Sequence, residues 1–363
     1  MFLIGSIRNF YARFERPISS MSLVAGFVFD IVTLKRVDTL WENLWIFGHL
    51  LIIGIFIILT HVHDGKVGDE EDPTKKHFWY VNILQFFFGG ILSTYLVFYF
   101  RSSDIFVTWP FIAILILAFI ANESLKRHYT RLSFQISLFF LSIYSFAIFL
   151  VPVVVHQIGN WVFILSGIIS LFTILFFTAI LFTFTKDRFL KSKRFILILI
   201  LSIFVGVNVL YFTKLIPPIP LSLKDAGVYH TLHKTEGGDY LATHEYHGWR
   251  GYFKLYEDFT KISSGPVYAY SAIFSPKGLN LNIIHEWQYY DEGRNVWVTD
   301  KIINLPVIGG RDGGFRTYSV RSNLPLGKWR VNIKTEHNRT IGHLRFNIIP
   351  PNVDPVLELE IKK

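Results

Sequence analysis

The chain has no cysteine among its 363 residues, and charged side chains make up only 17% of it. Without disulfides, any exported part of the chain must be stabilised by its own hydrophobic core. A low charge content together with 51% apolar residues is typical of a membrane protein. The net charge of +9 does not form a basic face interleaved with aromatic residues, so we predict no nucleic-acid binding.

Long apolar runs fill the N-terminal part of the chain. Seven of them are candidate membrane spans, at 21–34, 40–60, 78–100, 105–121, 132–155, 161–185 and 195–212. An apolar run of about 18 residues rises about 27 Å as a helix, which nearly covers the hydrocarbon core of a bilayer. The first run is the shortest and contains Asp30, so it could be tilted or re-entrant. These runs predict a bundle of seven transmembrane helices.

Basic side chains predict how this bundle is oriented, because cytoplasmic loops are enriched in Lys and Arg. The segment 186–194 holds five of them, and a proline-rich segment, 217–220, follows the last run. If the spans alternate, the other cytoplasmic segments receive Arg8, Arg13, Arg16, Lys66, Lys75, Lys76, Lys126, Arg127 and Arg131. The outer loops receive Lys35, Arg36 and Arg101. We therefore predict a cell-membrane protein with a cytoplasmic N-terminus and an extracytoplasmic C-terminal domain.

The pattern divides the chain into a tail at 1–19, the bundle at 20–213, a proline-containing linker at 214–225 and a β domain at 226–363. In the last part the hydrophobic period changes from helical to two. Trp329, Val331 and Ile333 alternate with polar residues, and after a turn the alternation resumes with Leu344 and Phe346. This pattern predicts a β-hairpin with one buried face.

Other short strands are predicted at 267–274, 281–289, 295–299, 316–320 and 356–362. Gly, Pro, Asn and Asp separate them, as expected for tight connections. Strands of this number and length are typical of an antiparallel sandwich of the immunoglobulin type, with a barrel as the alternative. The predicted fold is therefore an α-helical transmembrane bundle followed by an all-β, immunoglobulin-like sandwich.

Four short motifs in the β domain carry a resemblance to a known family. They are His285-Glu-Trp287, Arg316-Thr-Tyr-Ser319, Gly327-Lys-Trp-Arg-Val331 and Gly342-His-Leu-Arg-Phe346. In this order they resemble the C-terminal module catalogued as domain of unknown function 2914, found in bacterial membrane proteins. The preceding multi-span region also resembles the usual companion of that module. The resemblance implies an exported bacterial β domain tethered to a helical bundle, and it supplies no catalytic residues.

We interpret the motif residues as structural: His285, Trp287, Arg316, Tyr318, Gly327, Trp329, Gly342 and Phe346. The two tryptophans are expected in the core, and the two glycines in tight turns on either side of the hairpin. His285 shares a strand face with Trp287 and is expected to be hydrogen-bonded in the core or at its rim. Arg316 either pairs with a carboxylate on a neighbouring strand or binds an anionic group.

Two clusters contain candidate metal ligands. His230, His233, His244 and His247 lie close together in the sequence, but residues three apart on a strand point to opposite faces. The acidic segment 61–72 does not have the spacing of a calcium loop. We therefore predict no metal site and no cofactor.

One aromatic segment is the candidate partner-binding surface. Its rings recur with helical spacing, with charged residues elsewhere on the helical wheel: Trp249, Tyr252, Phe253, Tyr256 and Phe259. Such a stripe could rest on the membrane surface, bind a partner, or pack on the sandwich.

The function that these features favour is non-enzymatic: the sandwich binds a protein, glycan or lipid partner in the cell envelope. The alternatives are a membrane-embedded enzyme that acts on a lipid or lipid-linked substrate, and a transporter or receptor component. For the enzyme, the residues to test are Asp30, Glu42 and His49. No nucleophile–base pair, carboxylate pair or metal-ligand set appears in the spans, so no catalytic residue is assigned.

Overall fold

A computed structural model describes residues 25–34, 38–64, 78–102, 105–124, 131–246, 255–261, 265–311, 313–351 and 355–362. Apolar helices occupy the N-terminal part, and a strand-rich region follows, in the predicted order. The main boundary between the helical unit and the strand-rich unit falls between Ile216 and Pro217. The first strand begins at Ser222, within the segment predicted as a linker.

The helical unit contains α1 at 25–33, α2 (Leu40–Asp64), α3 (Phe78–Arg101), α4 (Ile105–Ser124), α5 (Leu132–Val155) and α6 (Asn160–Phe212). Within the described residues, five helical segments are long and apolar enough to cross a membrane. These segments are Leu40–Val62, Tyr80–Arg101, Leu132–Val155, Asn160–Asp187 and Phe189–Phe212. A shorter apolar stretch, Thr108–Ile120, lies in α4. The helices are therefore compatible with a membrane protein.

Helix α6 consists of two arms that fold back on each other. The backbone leaves helical geometry at Thr185, with φ −133° and ψ 32°. The ring of Phe163, near the start of α6, stacks on Tyr211, near its end, with centroids 3.6 Å apart. In one straight helix these residues would lie about 70 Å apart. The segment 186–194, which lies between two predicted spans, is helical, and it contains neither Gly nor Pro to interrupt the helix.

Polar side chains within the helices are satisfied mostly by their own backbone. Ser142, Ser166 and Ser170 each donate a hydrogen bond to the carbonyl four residues earlier. Such bonds let a hydroxyl lie in an apolar environment at little cost. Gly90 of α3 permits a close contact with α2, since a Cβ there would lie 3.3 Å from His49 Nε2.

The strand-rich unit contains eleven strands within the described residues. They are β1 (Ser222–Tyr229), β2 (Thr231–Lys234), β3 (Tyr240–Glu245), β4 (Glu257–Thr260), β5 (Val267–Phe274), β6 (Leu281–Asp291), β7 (Val296–Val307), β8 (Phe315–Arg321), β9 (Gly327–Thr335), β10 (Thr340–Ile349) and β11 (Leu357–Lys362). They form three sheets with the orders β1-β5-β8, β4-β10-β9-β6-β7 and β11-β3-β2. Strand β4 pairs parallel with β10, and the other pairs are antiparallel.

The predicted hairpin is confirmed as β9 and β10. Trp329 pairs with Phe346, and Val331 pairs with Leu344, so the apolar residues of both strands share one face. The register shifts between Thr340 and Gly342, which marks a β-bulge. Because side chains alternate along a strand, the polar residues of both strands lie on the other face.

The core of the strand-rich unit lies between the five-stranded sheet and the β1-β5-β8 sheet. Trp287 of β6 and Phe346 of β10 are fully buried, and their rings meet edge to face with centroids 6.2 Å apart. Side chains of β5 and β8 reach the same region and bond to β6 across the core. A second cluster, with Tyr229, Tyr240 and Tyr270, packs the β11-β3-β2 sheet against β1 and β5.

Candidate functional site

The aromatic segment predicted as a partner surface is described only at its C-terminal end. Trp249, Tyr252 and Phe253 lie outside the described residues. Tyr256 precedes β4 and Phe259 lies in it, so helical spacing does not apply to these two. Phe259 is buried beside Ile348 of β10, whereas Tyr256 lies within electrostatic range of Arg330. The two described rings therefore lie on opposite faces of the sheet.

Phe259 lines a small cleft beside a paired histidine. The His230 ring stacks on it with centroids 4.0 Å apart, and His230 Nε2 donates to Glu245 Oε1 at 2.9 Å. Glu245 also accepts from the backbone N–H and the hydroxyl of Thr260. Burial raises the pKa of Glu245, but the hydrogen bonds from His230 and Thr260 together hold it below its ordinary value. The carboxylate therefore stays ionised and orients the imidazole.

The size and the lining of this cleft do not indicate an active site. Lys261, on its wall, donates from Nζ to the carbonyl oxygen of Leu324 at 2.9 Å. The cleft has space for about one water molecule. Its described lining contains no hydroxyl or thiol nucleophile. The His230–Glu245 pair accordingly fixes β4 against the β2–β3 region.

The other histidines of the predicted cluster do not converge on His230. His247 lies outside the described residues, and His233 is exposed. His244 Nδ1 donates to the carbonyl oxygen of Glu245 at 3.0 Å. Nowhere in the described ranges are three His, Asp or Glu side chains placed to hold a metal. Of the acidic segment 61–72, residues 65–72 fall outside the description.

The motif residues His285 and Trp287 belong to a hydrogen-bonded network inside the core. The two ring nitrogens of His285 lie 2.9 Å from the hydroxyls of Ser271 and Ser319. Trp287 Nε1 donates to the Ser319 hydroxyl at 3.0 Å. Burial lowers the pKa of His285 to about 4. The imidazole is therefore neutral and has a partner on each nitrogen, so this network joins the two sheets.

The motif residue Arg316 lies in a cluster of opposite charges. Its Nη1 donates to Asp239 Oδ1 at 2.9 Å and to the carbonyl oxygen of Lys362 at 2.7 Å. Lys362 Nζ pairs in turn with Asp225 and Glu360. Arg316 Nε and Nη2 find no acceptor among the described residues. Because carboxylates outnumber cations here, the cluster repels a further anion, and we place no ligand at Arg316.

The remaining motif residues differ in burial and in backbone conformation. Trp329 and Phe346 are buried, and Tyr318 is exposed. Gly327 has a φ of +119°, which disfavours other residues. Gly342 lies at the β-bulge and not in a turn, and a Cβ there would overlap Leu223 Cδ2 of β1. We predicted turns for both glycines; at Gly342 the small side chain instead permits close packing.

The outward side of the five-stranded sheet carries a dense set of polar side chains, which we call the polar sheet face. Its members are Asp258, Glu286, Gln288, Tyr290, Trp297, Thr299, Lys328, Arg330, Asn332, Lys334, His343, Arg345 and Asn347. They form rows across the strands, because directly paired residues point to the same side. One row contains Thr299, Gln288, Arg330 and Arg345.

Hydrogen bonds hold the centre of the polar sheet face in place. Asn332 Nδ2 donates to Glu286 Oε2 at 2.7 Å and to Gln288 Oε1 at 3.0 Å. His343 Nδ1 donates to Asn332 Oδ1 at 2.8 Å. Arg330 Nε donates to Gln288 Oε1 at 2.6 Å. Because Asn332 and Gln288 are buried beneath their neighbours, this network fixes the positions of the charged groups around it.

The polar sheet face has more cations than carboxylates. Lys328, Arg330, Lys334 and Arg345 face outward with two carboxylates. Glu286 pairs with Lys334 at 2.5 Å, and Asp258 of β4 lies opposite Asn347 on the neighbouring strand. Arg330 and Arg345 are directly paired across β9 and β10. Burial lowers the pKa of Arg330, and the charge of Arg345 lowers it further. The charge of Glu286 opposes the effect of Arg345. The four cations still outnumber the two carboxylates, so the face carries a net positive charge.

Ionisable groups in the helical unit are few and separate. The Ser93 hydroxyl of α3 donates to Asp30 Oδ2 of α1 at 2.5 Å. His49 Nδ1 donates to the carbonyl oxygen of Trp45 at 2.9 Å. Glu42 is half-buried near the start of α2. The structure does not join these three residues, proposed for the enzyme alternative, through a hydrogen bond.

Comparison with known families matches the C-terminal part of the chain. Residues 280–348 match the family model described as "Protein of unknown function (DUF2914)". The suspected resemblance of the C-terminal module is confirmed. The DUF2914 match spans β6 to β10, so it contains every member of the polar sheet face except Asp258.

Comparison with individual proteins adds little to the DUF2914 match. No curated protein matches the chain. One solved structure that the comparison matches to the chain is the alkylpurine DNA glycosylase AlkC of Pseudomonas fluorescens bound to DNA containing an abasic site analog. It is 8% identical, covers 86% of this chain and 99% of its own, and has a TM-score of 0.21. A similarity this low carries no argument about fold or function.

The polar sheet face had a signal in the sequence that we used only for the buried side. The alternation of Lys328, Arg330, Asn332 and Lys334 with apolar residues identified a strand, and these residues were assigned to the solvent side. These residues lie beside Glu286 and Gln288 only because β6 pairs with β9. That pairing is non-local, and periodicity along one strand does not specify it.

Proposed function

We propose that this chain is a multi-pass membrane protein that presents its strand-rich unit outside the cytoplasm, where the polar sheet face binds an envelope partner. All seven predicted helices cross the membrane in this proposal, with the N-terminus in the cytoplasm. The five long apolar segments support it. So do the exposed apolar side chains of α6, such as Phe172 and Phe176, both 70% exposed, because a lipid environment would cover them.

The strand order supports an immunoglobulin-like sandwich for the core of the strand-rich unit. In the immunoglobulin plan, one sheet contains strands A, B and E, and the other contains G, F and C, with C′ added in variable-type domains. The orders β1-β5-β8 and β10-β9-β6-β7 follow this plan in sequence. A buried Trp on strand C is a hallmark of these domains, and Trp287 lies on the corresponding strand, β6.

The single observation that carries the binding function is the polar sheet face. Exposed polar side chains usually point into water with separate conformations, and ordering them costs side-chain entropy. Here the central amides and Glu286 are already fixed by mutual hydrogen bonds. A partner would therefore meet a rigid surface with two adjacent arginines, Arg330 and Arg345.

The location can be tested with single cysteines, because the chain has none. Glu292→Cys lies in the exposed β6–β7 turn, and Lys193→Cys lies in the basic segment of α6. A membrane-impermeant maleimide should label Glu292→Cys in intact cells, and Lys193→Cys only after the membrane is permeabilised. The reverse pattern would show that the strand-rich unit is cytoplasmic and would end the proposal.

The binding surface can be tested in the same way without knowing the partner. Lys328→Cys lies on the polar sheet face, and Lys234→Cys lies at an exposed position of β2 in another sheet. In purified protein in lipid nanodiscs, both cysteines should be labelled at similar rates. In intact cells, labelling at 328 should be at least about fivefold slower than at 234, because the partner covers the face. Equal slowing of both positions would indicate general shielding and would contradict a partner at this face.

A further inference from the structure

One corner of the polar sheet face combines cations with aromatic rings. We call it the aromatic corner: Tyr290, Trp297, Lys328 and Arg330. Tyr290 and Trp297 are directly paired, and their ring centroids lie 5.2 Å apart. The guanidinium carbon of Arg330 lies 4.3 Å from the centroid of Trp297, and Lys328 Nζ lies 5.7 Å from that of Tyr290. Stacking of this kind holds cations in place without neutralising them.

Arg330 is oriented to bind a planar acid. Its Nε is occupied by Gln288 Oε1, and one side of its plane lies over Trp297. The two Nη groups form the end of the guanidinium fork, and this end matches the two oxygens of a carboxylate. An arginine fixed at Nε and by stacking loses little conformational entropy when such an acid binds.

The cations repeat along the face at intervals that suit a polymer. Lys328 and Arg330 lie two residues apart on β9, which is about 6.7 Å along a strand. Arg345 lies beside Arg330 on the next strand, about 4.8 Å away across the sheet. Lys328 and Arg330 lie over rings of β6 and β7, whereas Arg345 belongs to β10 on the other side of β9, so one compact anion would not contact all three. A chain with one acid group on each repeating unit can reach them one after another.

We propose that the polar sheet face binds an acidic polysaccharide whose sugars bear carboxylates, with the aromatic corner as its main contact. This inference rests on the proposed function, since it names the class of partner that the face takes. The carboxylates meet Arg330 and Lys328. The half-buried rings of Tyr290 and Trp297 offer the C–H surface of a sugar an apolar contact.

An acidic peptide is a less suitable partner for this geometry. Extended peptides bind by adding a strand at the edge of a sheet, where main-chain groups are unpaired. The cations of the aromatic corner belong to β9, which is paired on both sides by β6 and β10. The donors therefore come from side chains on the face, and a ligand without a peptide backbone can use all of them.

The test uses the full chain in nanodiscs and polygalacturonate as the probe. Binding should be measurable by biolayer interferometry at low salt and should weaken as salt rises. Methyl-esterified polygalacturonate keeps the sugar chain and loses the charge, and it should bind at least about tenfold more weakly. Poly-L-glutamate and single-stranded DNA keep the charge without the acidic sugar, and they should also bind more weakly than polygalacturonate.

Matched variants assign the binding to the aromatic corner. Lys328→Gln removes an exposed cation and should weaken polygalacturonate binding about fivefold, whereas Lys234→Gln removes one from another sheet and should change nothing. Trp297→Ala should weaken binding about tenfold, whereas Tyr246→Ala, at an exposed ring on β3's C-terminal side, should not. Both lysine positions are exposed, so a folding defect does not explain a difference between them.

Three results would overturn the inference. Equal binding of poly-L-glutamate or DNA would show a general polyanion surface. Unchanged binding by Lys328→Gln and Trp297→Ala would place the polymer elsewhere. No binding of polygalacturonate, with Lys328→Cys still protected in cells, would remove the polysaccharide and leave the proposed partner surface intact. Loss of that protection as well would remove the proposed function.

Discussion

The helical unit and the strand-rich unit place their apolar and polar side chains in opposite ways. In α6 the large apolar residues are exposed, and hydroxyls such as Ser166 and Ser170 are buried and bonded to their own backbone. In the five-stranded sheet Trp287 and Trp329 are buried, and the outward side is a connected polar surface. The first arrangement suits lipid, and the second suits water.

This difference determines which side chains stabilise each unit. A lipid-facing aromatic ring loses little when it is truncated, because lipid covers it in every state of the helix. A ring in the core of the β-sheets is transferred from water on folding. The strand-rich unit must therefore obtain its stability from a few large side chains, particularly as it has no disulfide.

Truncating one large aromatic residue in each unit gives the largest predicted contrast. Trp287→Ala should reduce the free energy of unfolding of the strand-rich unit by about 4 kcal/mol, from lost burial and a cavity. It also removes the donor to Ser319. Phe176→Ala, at a position that is 70% exposed, should change the stability of the helical unit by about 0.5 kcal/mol or less in a bilayer.

Hydrogen exchange measured by mass spectrometry on the full chain in nanodiscs reports both units separately. Peptides from β6 and β9 should exchange much faster in Trp287→Ala, and peptides from α6 should be unchanged in Phe176→Ala. Comparable losses in the two variants would mean that Phe176 packs against protein, and the contrast between the units would then be wrong.

Burial of His285 predicts a pH dependence that is confined to the strand-rich unit. Its folded pKa, about 4, lies below the ordinary value of 6.5, because burial disfavours the charged form. The unfolded chain therefore binds a proton near pH 6.5 that the folded chain excludes. Stability should be complete above that pH and should fall by about 3 kcal/mol as the pH drops towards 4.

The test compares the slope of stability against pH in three proteins. The wild type and His233→Gln, which changes an exposed histidine, should show the same slope between pH 4 and 6.5. His285→Gln should lack most of it, whatever its stability at neutral pH. An unchanged slope in that variant would show that His285 is already protonated or accessible in the folded protein.

The sequence predicted those parts of the fold that depend on local pattern. Apolar length located the helices, and the period of two located β9 and β10 with the correct buried face. Gly327 was also recognisable, because a positive φ favours glycine. In each case the signal lies within a few residues of the feature that it predicts.

The parts that the sequence did not predict depend on contacts between distant residues. The two spans 161–185 and 195–212 predicted that the chain reverses between them, but not that the helix resumes directly after Thr185. The role of Gly342 depends on Leu223, which lies on another strand of another sheet. The charge cluster at Arg316 joins residues from β1, β8 and β11. The hydrophobic period along one strand does not specify which strands pair with each other. The polar sheet face could therefore be identified only from the strand order in the structure.

The smallest predicted effect concerns how the two arms of α6 pack in the helical unit. A Cβ at Gly167 would lie 2.9 Å from the Tyr144 hydroxyl and 3.0 Å from Phe204 Cε2. Gly167→Ala should therefore displace these rings and the hydrogen bond from Asn208 to Tyr144. It should lower the free energy of unfolding of the helical unit by about 1.5 kcal/mol.

Gly206→Ala is the matched control, since no atom lies within 4 Å of its Cβ, and alanine favours a helix over glycine. Hydrogen exchange in Phe189–Phe212 should rise in the first variant and not in the second. Equal exchange in both would show that the arms are not packed against each other and α5 as described.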